Sequence, residues 1–236
     1  MQMANGFGTG SPATTPDGVL AGALLATIRT ALGDEDEATW SDSRLLGFLN
    51  EAVREYSQHR PRLGEATITT AAGEQTYALP WDAAGVISVR YEAGDGASSI
   101  IYRLGYKNRR FDGGWVYDFL SRRDLTTAPL LVLGFDPGSG GTLAVRYERP
   151  HDSNLTAASA VTVPGDHHHV LVGYVLFAAA RQLQAREQAN PTSSSSLLMS
   201  QLAANTRRLE LAYLNALNRI LTQRQGEGEI VSWEKR

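Results

Sequence analysis

The chain predicts an α+β fold: a bundle of about four helices with an inserted antiparallel β subdomain, a small sandwich or barrel, and flexible arms at both ends. Two observations predict it. Apolar residues recur at helical spacing up to about Arg60 and again after about Asp166, while from Gly64 to Pro150 they alternate with period two. A third sets the scale. In 236 residues, 42% hydrophobic and 20% charged, there is enough apolar side chain for a packed core. The boundaries read 1–14 for the N-terminal arm, 15–63 for two helices, 64–163 for the β insertion, 164–225 for two long helices and 226–236 for an extended C-terminal arm.

The opening "MQMANGFGTGSPATTP" is rich in Gly, Ser, Thr and Pro, without the basic and apolar regions of a secretory signal. The first helix is expected from "TPDG", with Thr15 as cap and Pro16 in the first helical position. Leu20, Leu24, Leu25, Ile28 and Leu32 form its stripe, and Gly33 stops it. The acidic "GDEDEAT" that follows reads as a solvated linker.

The second helix, "WSDSRLLGFLNEAVREYSQHRP", carries the clearest signals. Ser41 is its N-cap, Trp40 and Leu45 have the spacing of a hydrophobic staple, and Pro61 ends it. Leu45, Leu46, Phe48, Leu49, Ala52, Val53 and Tyr56 share one face; Arg44, Glu51, Arg54 and Glu55 lie off it.

The β segment contains "EATITT", "QTYALP", "VISVRYE", "SIIYRLGY", "WVYDFL", "LLVLGF" and "TLAVRYE", bounded by "AAGE", "GDG", "DGG" and "DPGSGG". The Gly-rich "DPGSGGT" lacks the Lys-Ser/Thr ending of a phosphate loop and lies between β-like runs, so it reads as a hairpin loop. Two long helices follow, from about Asp166 to Ala189 and from about Ser196 to Gln225. In the last, Leu202, Leu209 and Ala216 alternate with Thr206, Tyr213 and Ile220 in a near-heptad stripe. The tail "GEGEIVSWEKR" places Ile230, Val231 and Trp233 among charges.

The chemistry-bearing residues are few. His167, His168 and His169 are adjacent, so on a helix they diverge by about 100° each and cannot converge on one metal. They read as a helix start capped by Asp166, with partly exposed imidazoles. There is no cysteine, which excludes thiolate chemistry, and no hydrolase, zinc-protease or dinucleotide motif occurs in the right context. No enzyme activity, metal or cofactor is expected. The net charge of -3 argues against a dedicated nucleic-acid coat. A local basic cluster, Arg103, Lys107, Arg109, Arg110, Arg122 and Arg123, interleaves with Tyr102, Tyr106 and Phe111. It reads as a hairpin surface, a subunit contact or a backbone-binding patch for DNA. No apolar run is long enough to cross a bilayer.

Three blocks resemble tailed-phage head-to-tail adaptor proteins, also called head-completion or connector proteins. The first is Trp40, Ser41, Asp42, Leu45, Leu46, Leu49, Asn50, Glu51, Ala52, Arg60 and Pro61. The second is "GEQTYALPWD", with Tyr77, Leu79, Pro80 and Asp82. The third is "VPGDHHHVLVGYVLFAAA", with Pro164, Asp166, Leu171, Tyr174 and Leu176. The β insertion is larger than in minimal helical adaptors. The resemblance implies a virion neck protein, assembled in the host cytoplasm as a homo-oligomeric ring such as a dodecamer beneath the portal protein. Its partners would be the portal, neighbouring copies, a tail or stopper protein and passing double-stranded DNA without sequence readout, with no membrane. In that setting Ile230, Val231, Trp233, Lys235 and Arg236 are the candidate portal contacts. The alternative is a β module binding carbohydrate or protein, carried on a helical stalk, with Trp81, Trp115 and Tyr117 as an aromatic platform.

Overall fold

In a computed structural model the protein is described at residues 18–94, 96–103, 116–121, 127–189 and 196–227. These residues are α+β. The elements are α1 (Ala21–Leu32), α2 (Asp42–His59), β1 (Arg62–Thr69), β2 (Thr76–Ala78), β3 (Gly85–Glu92), β4 (Ser98–Arg103), β5 (Val116–Leu120), β6 (Leu130–Leu133), β7 (Thr142–Arg149), α3 (His168–Ala189) and α4 (Ser196–Glu227). A 3-10 turn, Gly165–His167, leads into α3. The residues Val53–His151 form one compact unit, and the described residues through Ala52 and from Asp152 form another. The α2 helix runs without interruption from the helical unit into the β unit.

In the helical unit α3 packs against both α1 and α4. The α1 helix starts at Ala21, later than the expected Pro16, and Leu20 makes no side-chain cap. A distant loop does the capping: the amides of Ala21 and Gly22 donate to the carbonyls of Ser159 and Ala157, both at 2.9 Å. Leu20 also bridges Ala160, which holds the approach to the helix extended. Thr15 and Pro16 lie outside the described residues. Gly33 ends the helix with φ 64°, the left-handed turn that a side chain would strain.

The expected cap of α2 is present. The Arg44 amide donates to Ser41 Oγ at 3.3 Å, and Trp40 and Leu45 are both buried. The apolar stripe is the buried one, with Leu45, Phe48, Leu49, Ala52, Val53 and Tyr56 inside and Arg44, Glu51 and Arg54 exposed.

All seven β-like runs are strands, in the order β1-β7-β3-β4-β5-β6-β2. Tyr77, Val89, Ile101, Tyr117, Leu131, Leu133, Leu143 and Val145 from both halves of this order meet in one core. Every pairing is antiparallel except β4 with β5, which is parallel at Tyr102–Arg103 against Val116–Tyr117. The two strands β4 and β5 are therefore not a hairpin. Residues 104–115 between them, and with them Lys107, Arg109 and Arg110, lie outside the described residues, as do Arg122 and Arg123. The "DPGSGGT" loop is not a hairpin either, because β6 and β7 do not pair. It is an Asx-type turn: Asp136 accepts from the Gly138 amide at 2.9 Å and from the Gly73 amide at 3.1 Å, and Gly138 and Gly140 have positive φ.

Candidate functional site

The loop read as a solvated acidic linker is instead held by a buried network of charge and hydrogen bonds. Asp34 is buried, and its carboxylate accepts from the amides of Thr39 at 2.8 Å and Trp40 at 2.9 Å. Arg29, buried at the end of α1, donates to the Trp40 carbonyl at 3.0 Å and to Asp42 Oδ1 at 2.6 Å, and pairs with Asp34 at 3.3 Å. Burial pushes the Asp34 carboxyl up, but the two amides, the Thr39 side chain and the Arg29 charge outweigh it and hold it below the ordinary value. The bond to Asp42 holds the Arg29 guanidinium above its ordinary value, against burial and with help from the Glu37, Asp42 and Asp34 charges. This network fixes where α2 begins relative to α1, and so where Trp40 and Phe48 stand. Their rings meet edge to face at 5.9 Å, with Arg186 of α3 over Trp40 at 5.2 Å.

Between α2 and α3 lies an open groove of about 260 Å³. Phe48, Tyr174, Phe177 and Ala178 supply its apolar lining, and Arg44, Glu51, Arg181 and Gln182 its polar part. Arg44 Nε donates to Gln182 Oε1 at 2.8 Å, tying one wall to the other, and its guanidinium lies 4.7 Å from the Phe48 ring centre. Tyr174 stacks edge to face on Phe177 and on Tyr213 of α4, so the groove is held from behind by the α3–α4 pair. No local sequence pattern marks this groove. Its lining comes from helices far apart in the chain, and each residue alone resembles ordinary amphipathic patterning.

The histidines do not point one way. His167 and His168 are buried, and only His169 is exposed. His168 Nε2 lies 2.9 Å from the Val163 carbonyl oxygen, His169 Nδ1 lies 2.7 Å from that of Asp166, and His167 Nε2 lies 3.5 Å from the Asp166 carboxylate. The expected Asp166 cap is absent, since the 3-10 turn starts from Pro164 without a side-chain cap and the Asp166 side chain is 76% exposed. The turn itself takes up the His167 amide, which donates to the Pro164 carbonyl at 2.9 Å. Among the described residues no group of three His, Cys, Asp or Glu could hold a metal ion.

Other sequence candidates fall as follows. Tyr117 is 2% exposed and belongs to the β core, so it forms no platform with Trp81, which is 60% exposed. Trp115, Lys107, Arg109, Arg110, Arg122, Arg123 and the tail residues Ile230, Val231, Trp233, Lys235 and Arg236 lie outside the described residues; Arg103 closes β4. No described helix is long and apolar enough to cross a membrane.

The family-like blocks have physical roles. Asn50 Oδ1 accepts from the Leu155 amide at 2.9 Å, anchoring the loop that caps α1. Pro80 to Ala83 turns the chain into β3, with the Ala83 amide donating to the Pro80 carbonyl at 2.9 Å and Asp82 3.5 Å from Arg149. Leu171 is fully buried. In the helical unit the Arg29 and Asp34 bonds hold the start of α2 beside an open groove. The family follows from the sequence as a whole. The profile described as SU10 adaptor protein matches residues 20–230, and the chain belongs to this family of phage adaptor proteins. No curated protein matches the chain.

Proposed function

We propose that the protein is the subunit of a non-enzymatic adaptor ring that sits beneath the portal, joins the head to the tail and extends the DNA channel. The family match over residues 20–230 carries this reading. The helical unit supports it, because a ring needs rigid faces that meet other copies, and the Arg29 network and the α3–α4 packing supply rigidity. In this reading Ile230, Val231, Trp233, Lys235 and Arg236 engage the portal. The cluster of Arg103, Lys107, Arg109, Arg110, Arg122 and Arg123 faces either the passing DNA backbone or the next subunit.

The test is the mass of the purified protein with and without the portal of the same phage. A defined multiple of the subunit mass added to the portal is expected, and no mass added overturns the reading. Removing residues 229–236 separates the tail's role. The truncated chain should keep its melting temperature and lose portal binding, and full binding by the truncated chain would overturn the tail assignment.

A further inference from the structure

We draw no further inference here: the strongest candidate, the open depression between the 3-10 turn that leads into α3 and the last turns of α4, where His167, His169, Asn218 and Arg219 line one cavity, rests on a helix N-terminus with the Asp166 carboxylate beside its cations, and no second observation in the structure points to a ligand there.

Discussion

Asp34 ties its loop together only while it is ionised. Its carboxyl is held below the ordinary value, so its contribution to stability is complete above the unfolded value and is lost as pH falls through the folded one. Arg29 is raised and stays charged in both states, so it adds no slope. The melting temperature should therefore fall on acidification below about pH 4, the ordinary carboxylate range. Asp34→Asn should melt lower at pH 7 and lose part of that acid slope; an unchanged slope would show that Asp34 does not carry it. A second residue-scale prediction concerns two glycines. A Cβ on Gly64 would lie 2.6 Å from the ring of Tyr147, which is 4% exposed and has little room to move. Gly64→Ala should cost about 1–3 kcal/mol in urea denaturation, and much less in a Tyr147→Leu background. A Cβ on Gly173 would meet Tyr213 at an ordinary 3.8 Å. Gly173→Ala should therefore be neutral or stabilise by up to about 1 kcal/mol.

Among the elements, α2 tests the largest share of the fold. Leu49 is fully buried and Arg54 exposed on the same helix. Leu49→Ala should cost roughly 2–5 kcal/mol and Arg54→Ala within about 0.5 kcal/mol, both read from denaturation midpoints. Asn50→Ala should cost about 1–3 kcal/mol, because it leaves the Leu155 amide without its acceptor. The elements themselves were legible wherever the signal is local. Helical stripes, the Ser41 cap, the Gly33 stop and the seven alternating runs all depend on neighbours a few residues away. What was not legible depends on contacts distant in sequence. The cap of α1 is the loop 157–159, the burial of Asp34 depends on Arg29 and Trp40, and β4 pairs in parallel with a strand that twelve residues, 104–115, separate from it. The groove is of the same kind. Phe48 and Phe177 each fit an amphipathic helix, and only packing makes them a common surface.

Across the whole molecule, one helix serves two cores. The residues of α2 through Ala52 count with the helical unit, and from Val53 onward with the β unit. Leu45 and Leu49 are buried in the first part, Val53 and Tyr56 in the second. The chain leaves the β unit at His151, where the His151 amide donates to Ser57 Oγ at 2.9 Å and the ring meets Tyr56 edge to face at 5.4 Å. Both passages of the chain between the units are thus tied to the same two turns of α2. Melting the β unit would release Tyr56 and Ser57 and fray the helix back toward Leu49. Helix propagation is cooperative, so the loss would reach the Trp40 end rather than stop at the unit boundary. Single-step unfolding is therefore expected despite the two units. Leu131→Ala in the β core and Leu171→Ala in the helical core, both at 0% exposure, should each cost about 2–5 kcal/mol. Each should lower the same calorimetric transition, with the calorimetric and van't Hoff enthalpies remaining equal. If Leu131→Ala instead splits the transition and leaves the helical part melting at its original temperature, α2 does not couple the units. The adaptor would then behave as two independently unfolding parts on one chain.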